Sequence, residues 1–361
     1  MTATHGGDLV GIGRAFARDP DSLLDFSASI NPFGPPDAVS ALLRAVAQQP
    51  SILAAYPDPH ARELSAALAA RERVTSARVV VANGSAALLD IGVRALETRR
   101  CIVPVPAFSE YARALAVAGA ALLPLPLRAE DDFALDPERL VALARAGGAD
   151  ACILSNPHNP SGRGMPPAAI AMLVSELARF GCASIIDEAF VDYAEGGIAA
   201  AALGERTVVL RSLTKFFAIP GLRIGYGFAA EPLAERMRSL LPSWPVGTLE
   251  QRAALAVIGD TRYARETVLR NTEARARFSG DLRALGLRVF PSAANFVLFD
   301  AGSDVDVVRL RDALIREHGI VIRTFESDAA LAHGAYARVA VRRSEENARL
   351  IAALKGRLGH E

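Results

Sequence analysis

Lysine is nearly missing from this chain. Of 40 basic residues only two, Lys215 and Lys355, are lysine; arginine serves everywhere else. Cysteine is scarce as well. Cys101, Cys152 and Cys182 each open an apolar run, and none stands in a CxxC or Cys/His spacing. Neither a metal site nor a disulfide framework is expected, and the three read as small buried hydrophobes on strands. Net charge is missing too, since 40 acidic residues balance the 40 basic ones. That removes the electrostatic footprint of a nucleic-acid binder. No apolar run approaches the roughly 18 residues that suggest a membrane span. The start, MTATHGGDLVGIGRAFARDP, has Gly, Asp and Arg where a signal peptide needs an apolar core. The expectation is a soluble cytoplasmic protein that binds neither nucleic acid nor membrane.

What is present is enough for a large core: 361 residues, 51% of them hydrophobic. Short apolar runs begin at Val79, Ile102, Leu122, Cys152, Ser184, Val208 and Ile224. Amphipathic stretches such as 85–96, 110–118 and 168–180 separate most of them. Strands alternating with helices imply an α/β fold with a mostly parallel sheet covered on both faces. Beyond Pro242 and Pro245 the pattern changes to a long helical region, 249–285. Shorter strands follow at 288–290, 295–299, 321–323 and 338–341, with helices at 304–318 and 345–358. The expected division is an N-terminal arm over 1–33 that is part of a small domain, a large domain over 34–245, and a small α+β domain over 246–361.

In a chain that prefers arginine, a surviving lysine asks for a reason. Guanidinium stays protonated and cannot replace a nucleophilic amine. Lys355 falls on the polar face of a helical stretch. Lys215 lies between two strand-like runs in VVLRSLTKFFAIPGLRIGYGF. Other polar residues gather at strand ends, where open α/β sheets bind ligands. Asn83-Gly84-Ser85 follows a strand and opens a helix, a place where backbone N–H groups can receive a phosphate. NPHNPSG, 156–162, is a loop stiffened by two prolines, with His158 read as a loop residue. Asp187 ends the buried run CASII, where a carboxylate is costly unless it has a partner or a task. Ser212, Lys215 and Arg223 follow within a short stretch. Together these are the parts of a pyridoxal phosphate site: a phosphate cradle, an acid for a ring nitrogen and an amine for a carbonyl.

NPHNPSG, then DEAF, then SLTKFFAIPGLRIGY resembles the fold-type I pyridoxal-phosphate enzymes, close to the histidinol-phosphate aminotransferases, across nearly the whole chain. The ends are more specific. His5-Gly6-Gly7, LDFSASINPFGPP and YPDP resemble the threonine-phosphate decarboxylases of cobalamin biosynthesis. The resemblance implies a large domain built on a mostly parallel seven-stranded sheet, plus a smaller α+β domain. It implies a homodimer acting on a phosphorylated amino acid. Lys215 would hold the cofactor covalently and Asp187 would pair with its ring nitrogen. Asn159 would donate to the ring 3′-oxygen and Phe108 would stack on the ring. The Gly84 and Ser85 region, Ser212 and Arg223 would bind its phosphate. Tyr56 would reach the neighbouring subunit's site. Arg338 would take a substrate carboxylate, Asn31 would contact substrate, and His5 and Arg323 would take the substrate phosphate.

One position departs from the pattern: Phe190 stands where many relatives have a tyrosine that donates to the 3′-oxygen, a bond phenylalanine cannot make. The implied reaction is decarboxylation of L-threonine O-3-phosphate. An aminotransferase of the histidinol-phosphate type and a non-catalytic binding protein on the same fold remain as alternatives.

Overall fold

The computed structural model describes residues 6–194, 196–198, 203–325, 331 and 335–358. Its strands, in chain order, are β1 Leu24–Asp25, β2 Val79–Ala82, β3 Arg100–Val105, β4 Ala121–Pro126, β5 Ala151–Ser155, β6 Ala183–Asp187 and β7 Thr207–Ser212. They continue with β8 Gly225–Ala229, β9 Arg288–Val289, β10 Phe296–Asp300, β11 Ile320–Val321, β12 Arg323–Thr324 and β13 Tyr336–Ala340. Seven of them form one sheet in the order β2-β8-β7-β6-β5-β3-β4. Its pairs are parallel except those of β8, which runs antiparallel to both neighbours.

Period two in the sequence divides the side chains of this sheet between two faces. Val79, Val81 and Ile102 enter one apolar cluster, while Val80, Ala82, Cys101 and Val103 enter the other. β2, β6, β7 and β8 are buried throughout, as strands covered on both faces must be. β4 lies at the edge and carries Pro124 and Pro126, where a missing N–H costs least. The three cysteines are buried free thiols. Burial pushes their acidity down, Cys182 to a pKa of about 12.

The second sheet has the order β12-β13-β10-β9, all antiparallel. Two expectations change here. The run 321–323 is two strands rather than one. β11 pairs in parallel with β1, and β12 pairs with β13. This splits the run between two sheets and draws residues 24–28 against the C-terminal part of the chain. Phe26, fully buried, packs on Phe278 there, a burial worth about 2–3 kcal/mol. The helical region after Pro245 is two helices, Thr248–Ile258 and Thr261–Ala284. Asp260 stands between them and caps the second by accepting from the Tyr263 N–H at 2.9 Å.

Candidate active site

The carboxyl ends of β5, β6 and β7 stand side by side, with Ser155 opposite Asp187 in register. They floor a cavity of about 1010 Å³. Of the sequence candidates, Ser85, Phe108, Asn159, Asp187, Ser212, Lys215, Arg223, Arg323 and Arg338 line it.

Lys215 sits in the turn after β7. Its Nζ is 3.5 Å from Ser212 Oγ and 5.1 Å from the centre of the Phe190 ring. Burial lowers the amine pKa from 10.5 to about 8, with Arg223 and Arg338 adding to the shift and Asp187 opposing it. Asp187 is buried at the end of β6. Its Oδ2 accepts from the Tyr111 hydroxyl at 2.7 Å, and its Oδ1 accepts from the Ala189 N–H at 3.0 Å. Burial raises this carboxyl above its ordinary value; Tyr111, Lys215 and the Ala189 N–H hold it back.

At one end of the cavity the helix Ser85–Ala95 begins. Gly84 precedes it at φ +84°, and a Cβ there would lie 2.7 Å from Arg223 Nη2. Glycine at 225 lets the strand pass close under the Ser85 N–H, since a Cβ there would lie 2.5 Å from that nitrogen. A helix start, two hydroxyls (Ser85 and Ser212) and the Arg223 guanidinium thus converge. This arrangement receives a phosphate dianion.

At the other end stand Arg338 and Arg323, cross-strand partners on β13 and β12. Arg338 Nη1 donates to Asn159 Oδ1 at 2.5 Å, and Nη2 donates to the Ser27 carbonyl at 3.0 Å. Its Nε is buried without a partner. Burial and the Arg323 charge push Arg338 down to about 10, against a smaller pull from Asp25. Because the Asn159 amide oxygen is held by Arg338, its NH2 is the end left to donate into the cavity. Phe108 opens the helix Ser109–Val117 and packs edge-on against Tyr111, with ring centres 5.7 Å apart.

Three candidates are placed elsewhere. Gly84 backs Arg223 rather than lining the cavity. Asn31 is buried with its side chain turned away: Nδ2 donates to the Phe216 carbonyl at 2.9 Å and to Tyr263 Oη at 2.8 Å. Its link to the site is its backbone N–H, which donates to the Lys215 carbonyl at 3.0 Å and steadies that turn. The Asn31 amide nitrogen is thus occupied by buried partners. Tyr56 is 80% exposed and stacks on Trp244 at 4.6 Å, outside the cavity. His5 lies outside the described residues. Gly6 and Gly7, which follow it, do line the cavity, and the Gly7 N–H donates to Ser27 Oγ at 3.0 Å.

Sequence reasoning missed Tyr111 as a site residue. The signal was present in PAFSEY, which places two aromatics three apart at a helix start and so on one face. His158 is more than a loop residue. It is buried, with Nε2 2.9 Å from the Pro106 carbonyl and Nδ1 2.8 Å from Ser161 Oγ. Burial pushes it down to about 4, so it is neutral at pH 7 and ties the Asn159 loop to the segment that leads to Phe108.

Behind the site, Glu188 and Arg211 point away from it, being the neighbours of Asp187 and Ser212 along their strands. Arg211 bridges Glu188 at 2.8 Å and Glu72 at 2.6 Å, and Tyr226 Oη donates to Glu72 at 2.7 Å. Among the described residues no group of His, Cys, Asp and Glu side chains could hold a metal ion.

The arrangement can hold a flat aromatic ring with a phosphate at one end and an acid at the other. It presents an amine to the middle of that ring and two guanidiniums to a second anion-bearing molecule. Residues 21–354 match the family model for aminotransferase class I and II. The chain is 34% identical to the threonine-phosphate decarboxylase of Salmonella typhimurium, over 98% of this chain and 96% of that protein. It is also 34% identical to a histidinol-phosphate aminotransferase of Nitratidesulfovibrio vulgaris, over 95% and 91% respectively. The solved structure of L-threonine-O-3-phosphate decarboxylase from Porphyromonas gingivalis superposes with a TM-score of 0.80 at 25% identity, covering 92% of this chain and 99% of that one.

Proposed function

The chain belongs to the aminotransferase class I and II family, and we propose that it decarboxylates L-threonine O-3-phosphate to (R)-1-amino-2-propanol O-2-phosphate, with pyridoxal phosphate as cofactor. The observation that carries this reading is one cavity holding an amine, a buried acid and a phosphate cradle beside two neighbouring arginines. Full-length similarity to a threonine-phosphate decarboxylase supports the choice of substrate.

The residues present fit the cofactor. Arg223 is packed so closely over Gly84 that no Cβ fits between them. The Ser85 N–H beside it serves the phosphate. Lys215 Nζ would hold the cofactor covalently, and Asp187 would keep a proton on its ring nitrogen. The Asn159 NH2 would face the 3′-oxygen, and Phe108 would cover one ring face. When bound, pyridoxal phosphate supplies a sink for the electron pair of a bond broken at Cα of an amino acid.

The chain's own part is to choose that bond and to manage one proton. Arg338 takes the substrate carboxylate and Arg323 its phosphate. Two fixed anchors set the rotation about Cα, so remote binding is used for orientation. After CO2 departs, Cα needs a proton where the carboxylate stood. Lys215 Nζ, with its pKa lowered to about 8, is mostly protonated at neutral pH and still a ready donor. The Phe190 ring beside Nζ offers no competing hydroxyl.

The same proposal includes a homodimer. The exposed Tyr56–Trp244 stack supports it, as a surface another subunit would cover. It also includes a place in cobalamin biosynthesis, which the sequence resemblance implied. A cytoplasmic setting fits three buried free thiols. No helix among the described residues is long and apolar enough to cross a membrane.

The test is product analysis with pyridoxal phosphate and L-threonine O-3-phosphate, without a keto acid. Loss of CO2 over many turnovers, abolished by Lys215→Ala, is expected. Amino transfer from histidinol phosphate to 2-oxoglutarate, with no CO2 released, would overturn the decarboxylase in favour of the aminotransferase reading. That alternative is favoured by the equal identity to a protein so named.

A further inference from the structure

Asp187 is the acid on which the cofactor reading depends, and its nearest side-chain contact is a residue without an assigned role. Tyr111 lies on the helix Ser109–Val117, buried beneath the same cavity, with its hydroxyl 2.7 Å from Asp187 Oδ2. A carboxylate offers only acceptors, so the single phenolic proton must point at Oδ2. The opposite oxygen is fixed by the Ala189 N–H. With one donor on each oxygen, the carboxylate cannot rotate without losing both bonds. The other groups facing this pair are the Lys215 amine, from the turn after β7, and the Ser155 hydroxyl, from the end of β5, which approaches the phenol. Tyr111 also meets Phe108 edge-on, so one residue braces both the acid and the aromatic wall.

We propose that Tyr111 is a positioning residue for Asp187: its buried phenol clamps the carboxylate in its ionised form and in one rotation, facing a cationic ring nitrogen in the cavity. The inference rests on the cofactor reading above and extends it to a residue that lines the same cavity and turns its hydroxyl to Asp187. It distinguishes Tyr111 from an ordinary core aromatic, whose hydroxyl could be removed with a cost in stability alone.

The test is a double-mutant cycle on pyridoxal phosphate affinity, read by titrating the cofactor-free protein. Tyr111→Phe keeps the ring and removes only the donor. Its dissociation constant should rise roughly tenfold, the scale of one hydrogen bond to a charged group. In an Asp187→Asn background the same substitution should change affinity less than about twofold, because the partner charge is gone. The acid limb of the affinity profile should move to higher pH in Tyr111→Phe, since losing a donor to the charged form raises a carboxyl pKa. Should Tyr111→Phe fail to fold, 3-fluorotyrosine placed at 111 keeps the shape and is a stronger donor. That protein should shift the acid limb to lower pH.

Equal losses of affinity in both backgrounds, or an acid limb that does not move, would show a merely structural tyrosine and overturn the proposal. Wild-type protein that takes up no pyridoxal phosphate would overturn the cofactor reading as well. Wild-type binding with an unaffected Tyr111→Phe would overturn the role of Tyr111 alone.

Discussion

Replacing Lys215 with methionine should make the cofactor-free protein more stable at neutral pH while removing its activity. The amine titrates near 8 in the folded chain against 10.5 for an ordinary lysine. Below about pH 8 it is charged in both the folded and unfolded states, and the folded state carries the full cost of holding that charge. The fall from 10.5 to about 8 converts to about 3 kcal/mol. Two features reduce the figure. Lys215 is half-buried and faces a cavity that admits water. Its charge also steadies Asp187, although Tyr111 and the Ala189 N–H remain on that carboxylate in the variant. A net gain of about 1–2 kcal/mol at pH 7 is expected.

The sign with pH follows. Between about 8 and 10.5 the folded amine has lost its proton while the unfolded one keeps it, so wild-type stability rises with pH. The advantage of Lys215→Met should shrink across that window and vanish above it. Urea denaturation of both cofactor-free proteins at pH 7 and pH 9.5 measures this directly. A variant no more stable than wild type at pH 7, or an advantage that grows with pH, would refute the reasoning.

Two further substitutions test the parts around this amine. Gly84→Ala forces a Cβ toward Arg223 Nη2 at a backbone φ of +84°, so pyridoxal phosphate affinity should fall about tenfold for a stability loss of about 1 kcal/mol; cofactor titration beside thermal unfolding separates the two effects. Arg211→Met strands two buried carboxylates, Glu72 and Glu188, and should cost about 3–5 kcal/mol in urea denaturation, more than half of it recovered when both acids are also made Gln.

What the sequence showed well was whatever lay at strand ends. Asp187 and Ser212 could be read because a polar residue closing a buried apolar run has few reasons to be there, and Lys215 because lysine is scarce in this chain. The seven runs of the large sheet were found within a residue or two; six are almost wholly buried and so visible without any partner, while the exposed edge strand β4 was visible as an apolar run alone. The smaller sheets were harder. β1 and β12 have two residues each, too short for any periodicity, and they exist only because a partner strand is present. Asn31 shows the converse. Its place in a motif suggested contact with substrate, and its amide nitrogen also finds Phe216 and Tyr263, about two hundred residues away along the chain.

The same limit explains what was missed inside the site. Candidates came one at a time from local patterns, but their working state is set by contacts between residues far apart in sequence. Tyr111 and Asp187 are 76 residues apart, and Asn159 and Arg338 are 179 apart. The first contact decides how the acid is held, and the second decides which end of the amide is free to donate. Strand alternation then divides the chemistry from its support: Asp187 and Ser212 face the cavity, and their neighbours Glu188 and Arg211 face the ion-pair network behind it. A single-residue slip in β6 or β7 would exchange the two sets, placing the structural charges in the cavity and the site's acid in the core. The buried Glu72–Arg211–Glu188 bridge opposes that slip, because it can form only in the register that also turns Asp187 toward Lys215.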